Sequence, residues 1–321
     1  MLVVNAEHGG QVLRVGAALA AVFGKPVKFV KIRARRPNPG LRNQHISAVR
    51  AVARFCNGEV KGLEVGSMEL EFYPGELEKR KLKIDVGTAG SVSLVLQAAS
   101  LPACLKGGEI VVRGGTDVPF APPVDYLRLV TFPTLGKFGF KARIEVKKRG
   151  YYPRGGGEIA ASFSPSRMTR IEVLSPEKTQ FRGISHATNL PGVARRMKIS
   201  ALKVLSGKVD VKIEVNEIED EPWKKGCAIV IGGFGRGGSA LGERGKRAEL
   251  VGMEAANELL ASLNLPLDRY MSDQILPFVA LFGGRVRVVE TGHVLALTKL
   301  FRELNIPFSY QDSIFEAPGV L

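Results

Sequence analysis

The feature that most constrains this chain is an internal repeat. A small-residue turn, a helix, a strand, a loop, a second helix and two strands recur at a period of about 80 residues. In the first copy Gly9-Gly10-Gln11 opens an apolar helical pattern through Val12, Leu13, Val15, Ala18, Leu19, Val22 and Phe23. Gly24-Lys25-Pro26 stops it, and residues 27–32 alternate as a strand. An Arg- and Pro-rich loop (34–42), a helix (43–56) and two strands (59–65 and 68–74) complete the unit.

The second copy has a strand at 82–86, the turn Gly87-Thr88-Ala89-Gly90-Ser91, a helix at 92–104 and a strand at 109–112. A rigid loop, 114–123, leads to a helix at 124–137 and strands at 141–147 and 158–164, the last two joined by a glycine-rich turn at 149–157. The last quarter reads as a helix (268–282), a strand (285–290), the turn Thr291-Gly292-His293, a helix (294–304) and a final strand (307–310). On this reading the turns at 9–11, 89–91 and 291–293 hold equivalent places. Their helix N-termini then face one cleft, where free N–H groups and the positive dipole end favour phosphate.

Residues 178–265 break the repeat. They contain strand patterns at 210–217 and 227–232, a helix at 247–263 and the stretch Gly233–Ser239, read as a flexible connection or mobile hairpin. The expected fold class is therefore α/β (α+β): repeated βαβαββ-type units around a pseudo-axis form a core of residues 1–177 and 266–321. A small α/β domain, 178–265, is inserted in the third unit.

Composition narrows the function. A chain of 321 residues with 45% hydrophobic and 24% charged content is that of a globular protein. No apolar run is long enough to span a membrane, and no signal peptide is expected. Cys56, Cys104 and Cys227 form no CxxC pair, which suits a reduced, cytoplasmic setting, and the four histidines make no zinc pattern. The net charge of +15 suits either a polyanionic partner such as nucleic acid or a heat-adapted surface. There is no GxxxxGK[ST], and the GxG turns lack the context of a dinucleotide site.

Several residues are placed to carry chemistry. His293 heads a helix after a strand, as a nucleophile, a base or an ordinary structural residue. Glu7, just before Gly9-Gly10, either holds a divalent metal over a phosphate or caps the helix, and Arg14 lies a turn or two beyond. Arg33, Arg35 and Arg36 either grip phosphate or line a solvated loop. Gln44 and His45 are caps or ligand contacts. Pro122, Tyr126 and Tyr270 offer either a flat wall to a nucleobase or core packing. Asp273 and Gln274 are suited to ribose or base edges, and Asp117 reads as a turn residue.

Taken together, these stretches resemble the RNA 3′-terminal phosphate cyclases along nearly the whole chain. The resemblance rests on Gly9–Arg14, Ile32–Leu41 with Gln44-His45, Ala89-Gly90-Ser91 with Leu94–Gln97, Gly114–Asp117 with Ala121-Pro122-Pro123, Tyr151-Tyr152-Pro153 with Gly155-Gly156-Gly157, Tyr270 with Asp273-Gln274, and His293. It implies ATP-dependent conversion of an RNA 3′-phosphate to a 2′,3′-cyclic phosphodiester, with Mg2+ or Mn2+ neutralising phosphate charge. It implies His293 as the nucleophile that becomes adenylated and Glu7 as the metal-binding glutamate. Arg14, Arg33, Arg36 and Gln44 are implied for phosphate and RNA; Gln97, Pro122, Tyr126, Tyr270, Asp273 and Gln274 for ATP and AMP, with Pro122 and Tyr270 sandwiching the adenine. The alternative is a non-catalytic RNA-binding ribosome-biogenesis factor of the same fold. Two stretches depart from the family pattern: His8 stands where the family has glycine, and Val294–Thr298 replaces its Leu-Thr-Asn type run.

Overall fold

The computed structural model describes residues 1–321. Its first unit is β1 (Leu2–Asn5), α1 (Gly10–Phe23), β2 (Val27–Val30), α2 (Asn43–Phe55), β3 (Glu59–Lys61) and β4 (Leu70–Tyr73). The second is β5 (Arg80–Asp85), α3 (Val92–Lys106), β6 (Gly108–Gly114), α4 (Val124–Tyr126), a π-helical turn (Leu127–Thr131), α5 (Phe132–Gly136), β7 (Ala142–Lys148) and β8 (Gly157–Phe163). The third opens with β9 (Ile171–Val173). Between it and the unit's first helix lie β10 (Phe181–Thr188), α6 (Val193–Leu205), β11 (Val211–Ile218), β12 (Gly226–Gly233), β13 (Arg236–Leu241) and α7 (Ala248–Ser262). The unit then resumes with α8 (Arg269–Phe282), β14 (Gly284–Arg287), α9 (Gly292–Glu303), β15 (Ser309–Gln311) and β16 (Ile314–Ala317).

The sheets make the repeat exact in topology. Their orders are β1-β2-β4-β3, β5-β6-β8-β7 and β9-β14-β16-β15. In each, the first two strands are parallel and the other neighbours antiparallel. The fourth sheet, β11-β10-β12-β13, follows a different order. Strands such as β4 and β8 bury alternate residues, so each repeat sheet turns one face inward and the other to water. The inward faces meet α1, α2, α3, α8 and α9, and one apolar core of 69 residues runs through all three units. A second core of 16 residues, among them Met197, Ile229, Val251 and Leu259, lies entirely within 181–259.

Topology corrects the matching of the turns. The helix after a unit's first strand is α1, α3 or α8; the helix after its second strand is α2, α4 or α9. The turn at 291–293 therefore corresponds to the start of α2 and of α4, whereas the turns at 9–11 and 89–91 correspond to the start of α8 at Asp268. The inserted β10–α7 segment obscures this in the sequence, because it separates β9 from α8.

Other expectations also shift. Gly233–Ser239 is not a flexible connection: it is the tight β12–β13 hairpin, with Phe234 and Arg236 buried. The Arg236 guanidinium donates to the carbonyls of Glu177 and Leu263, which anchors the hairpin. The strand read at 285–290 ends at Arg287, and the final strand read at 307–310 is a hairpin, β15–β16, turning on Asp312 and Ser313 at φ 51° and 62°. Left-handed turn pairs normally advertise themselves through glycine, and this one has none. Strands β9 and β10 and helix α6 were not read in the sequence at all.

The insert's two helices pack unusually close. A Cβ on Gly252 would sit 2.1 Å from the Met197 carbonyl oxygen on α6. Gly252→Ala is expected to push α6 and α7 apart and cost about 1–3 kcal/mol, read as a lowered midpoint in thermal or urea unfolding.

Candidate active site

The start of α1 gathers the first group. Glu7 lies in the turn after β1; its N–H donates to Asn5 Oδ1 at 3.1 Å. Its Oε1 faces Arg35 at 3.2 Å and His8 Nε2 at 3.3 Å, while Oε2 has no protein partner. Arg36 crosses in front of Gly9 and donates from Nε to the His8 carbonyl at 3.2 Å. Arg33 behaves differently. Its backbone is left-handed (φ 54°), and its NH1 donates to the Asn38 and Gly40 carbonyls, both at 2.8 Å. That fork staples the loop rather than presenting itself to a ligand. Burial, followed by the charges of Arg42 and Arg36, lowers its pKa.

One turn into α1, Arg14 is buried with no hydrogen-bonding acceptor in the protein. Burial lowers its pKa to about 10, against the pull of Asp273 on α8. Arg14, Gln11, Gln97, Thr131, Asp273 and Gln274 border a narrow cavity between the units. Gln11 Oε1 is buried there without a partner, and Gln274 Oε1 accepts from Thr131 at 2.8 Å. A buried guanidinium without an acceptor, beside an orphaned amide, suits a phosphate-bearing ligand.

His293 is the second residue of α9. Thr291 caps the helix, accepting from the Val294 N–H at 3.2 Å. The imidazole is 63% exposed, and its Nδ1 lies 3.0 Å from Asp273 Oδ2. An ionised carboxylate only accepts, so Nδ1 is the donor in this contact, and in the neutral ring that tautomer leaves the lone pair on Nε2. Asp273 thus touches both the histidine and the cavity that holds Arg14.

The aromatic group sits at the start of α8. Asp268 caps this helix, accepting from the Tyr270 and Met271 N–H groups at 2.9 and 2.7 Å, from Gly237 N–H at 2.7 Å and from Tyr126 OH at 2.6 Å. Tyr126 is fully buried and meets Tyr270 edge-on, with centroids 5.6 Å apart. The expectation that Tyr126 faces a nucleobase is therefore corrected: its hydroxyl is spent on Asp268, and its ring supports Tyr270 from below. Tyr270 is half-buried and carries the Arg269 guanidinium 4.6 Å from its centroid, and Pro122 is half-buried on the loop before α4. Gln44 Oε1 lies 3.4 Å from the Ser91 N–H, joining α2 to the start of α3.

Asp117 is a second correction. It is no simple turn residue: it is buried with Asp125, Arg149 and His186. Arg149 reaches Asp117 at 3.4 Å and Asp125 at 2.7 Å, and His186 Nε2 lies 3.3 Å from Asp117. Burial pushes the Asp117 carboxyl up, but His186 and Arg149 outweigh it and hold the group well below the usual carboxylate range. His186 and Thr131 had no local signal, because they meet Asp117 and Gln274 across units, and Asp125 and Arg149 meet within the second unit but 24 residues apart. This cluster is separate from Glu7, near which Glu303, accepting from the Asn5 N–H at 3.2 Å, is a second carboxylate. That donor set fits a divalent ion only if water and substrate phosphates complete the shell, as is usual for Mg2+.

A family model described as RNA 3′-terminal phosphate cyclase matches residues 5–304. The chain is 50% identical over 294 residues to an RNA 3′-terminal phosphate cyclase of Methanothermobacter thermautotrophicus, covering 88% of this chain and 87% of the relative. It is 45% identical to one of Thermococcus onnurineus over 98% and 93% of the two chains, and 44% identical to one of Thermococcus kodakarensis over 90% and 87%.

His45 gives this region a pH signature. It is buried against Gly10, where an added Cβ would lie 2.1 Å from Nε2, and its Nδ1 accepts from the Arg42 N–H at 3.1 Å. Burial, then the charges of Arg14, Arg33 and Arg42, lowers its pKa from 6.5 to about 3. The unfolded chain takes up a proton as pH falls through 6.5 and the folded chain does not, so this stability is complete above that pH and is lost below it. Between pH 7 and 5 the loss is expected to be about 2 kcal/mol, and His45→Gln should remove that component when urea unfolding is compared at the two pH values.

Proposed function

The chain belongs to the RNA 3′-terminal phosphate cyclase family, and from that premise we propose that it converts the 3′-phosphate of RNA to a 2′,3′-cyclic phosphodiester at the expense of ATP, through adenylated His293. The observation that carries the reading is the Asp273–His293 pair beside the buried Arg14. A histidine nucleophile must keep one ring nitrogen unprotonated and aimed at the substrate, and a carboxylate on the other nitrogen does both.

Three successive displacements at phosphorus make up the reaction. The His293 Nε2 lone pair attacks the α-phosphorus of ATP; a P–N bond forms, the P–O bond to the β-phosphate breaks, and pyrophosphate leaves. Asp273 stabilises the positive charge that develops on the ring through the Nδ1 proton. An oxygen of the RNA 3′-phosphate then attacks the same phosphorus, breaking the P–N bond and freeing the histidine. The RNA now carries a 3′-phosphoanhydride to AMP. The vicinal 2′-hydroxyl attacks the RNA phosphorus, its proton passes to solvent, and AMP leaves as the ring closes. Splitting the reaction this way replaces a poor leaving group, oxide, with AMP.

The remaining residues have supporting roles. Arg14 and Arg36 would hold phosphate oxygens, and Gln11, Gln97 and Gln274 would orient the nucleotide. Tyr270, braced by Tyr126, would stack on the adenine with Pro122 opposite. Glu7 would hold a divalent cation, which supplies charge neutralisation on the phosphates when bound. Arg33 and Gln44 act through the loop and the α2–α3 junction that they fasten. No helix is long and apolar enough to cross a membrane, and a cytoplasmic location suits the reduced cysteines.

ATP labelled at the α-phosphate should leave an acid-labile adduct on the protein, and His293→Ala should abolish it. Asp273→Asn should slow adduct formation by about 10²-fold or more, because an amide no longer dictates the tautomer. An adduct that survives in His293→Ala moves the nucleophile elsewhere. RNA binding with no adduct in the wild type favours the non-catalytic RNA-binding factor.

A further inference from the structure

The loop between β6 and α4 is fastened at both ends. The N–H groups of Thr116 and Asp117 donate to the Gly150 carbonyl at 2.8 and 3.1 Å, and Val124 N–H donates to Thr116 O at 2.9 Å. Asp117 at one end and Asp125 at the other are both gripped by Arg149, and His186 holds Asp117 from the side of β10. Buried ion pairs of this kind fix geometry more than they add stability. This cluster takes no part in the proposed reaction.

Midway along this clamped loop stands Phe120. Its side chain is fully exposed, and its backbone is left-handed at φ 64°. Each is unfavourable alone. A bulky residue at positive φ is an outlier that persists only where the surroundings over-determine the backbone. Here the Arg149 clamp and the flanking Pro119 and Pro122 do so. The result is a rigid aromatic ring held in water, on the loop that also carries Pro122 and leads into α4, whose Tyr126 meets Tyr270 of α8. Scattered exposed apolar residues are ordinary, but a strained, clamped and fully exposed aromatic two residues before a proposed adenine contact is not.

We propose that Phe120 is a preorganised stacking platform for the nucleobase at the 3′ end of the RNA substrate; this rests on the cyclase reading above. Two nucleotides enter such a site. The adenine of ATP would lie inward, between Pro122 and Tyr270. Phe120 is free of that pair and faces solvent, which suits the ligand whose chain runs out of the site. Stacking on a single ring tolerates any base, as a substrate class defined by its 3′-phosphate requires.

The test uses a 3′-phosphorylated oligoribonucleotide with 2-aminopurine as its terminal base. Wild-type protein should quench its fluorescence on binding, Phe120→Ala should lose most of the quenching, and Phe120→Trp should restore it. In steady-state cyclisation, Phe120→Ala should raise the KM for RNA by about tenfold, while the KM for ATP in adduct formation moves less than about twofold. Phe120→Gly should lose the quenching yet raise the melting temperature, because it relieves the left-handed backbone. Unchanged quenching in Phe120→Ala overturns the proposal, as does a raised ATP KM, which would assign the ring to the adenine of ATP. A lower melting temperature for Phe120→Gly would show that the ring serves the fold. Absence of an adduct in the wild type defeats the cyclase reading separately, since quenching reports stacking without any chemistry.

Discussion

A guanidinium removed from water needs negative charge nearby, and for Arg14 the carboxylate whose field reaches it is Asp273. That field acts between α8 of the third unit and α1 of the first, with no ion pair between the two side chains. Asp273 in turn orients His293 on α9, so a single carboxylate links the buried cation to the exposed imidazole. The arrangement requires α1, α8 and α9 to be packed in one apolar core, which is what the common core of the three units provides. The proposed chemistry depends on this link, because an imidazole free to rotate would offer either nitrogen.

The three units repeat a topology and vary its use. Gln44, Asp125 and His293 are each the second residue of the helix that follows their unit's second strand. Helix N-termini favour acceptors and anions at all three places. Gln44 spends its amide on the next unit, and Asp125 is locked by Arg149 beneath the inserted sheet. His293 alone stays open to solvent. One backbone position thus yields a joint, a clamp and a candidate nucleophile, according to what packs on it. The insert contributes to the second of these by bringing His186 on β10 against Asp117.

Much of the fold was legible because its signals are local. Glycine turns, apolar periodicity and β-branched runs marked most strands and helices of the first two units to within a few residues. The failures also have local causes. Asp312 and Ser313 turn a hairpin without glycine, and the Phe234-Gly235 turn looked mobile because its anchors, the Glu177 and Leu263 carbonyls, are remote in sequence. The turn at 291–293 was matched to the wrong turns because an insertion shifts sequence spacing but leaves strand order intact.

Pattern and side-chain type are enough to specify the repeat, the class of fold, the family and the polar residues offered to a site. What each of those residues can do was settled by how the chain packs. It set Tyr126 as a buried brace instead of a stacking face, turned Arg33 onto its own loop, and made Asp117 part of a clamp. The reason is that hydrogen bonds and ion pairs saturate: a group that has found its partners inside the fold has less left for a ligand, and those partners lie anywhere from a few residues away, as for Arg33, to more than a hundred. Tyr126 and Asp268, 142 residues apart, are the plainest case.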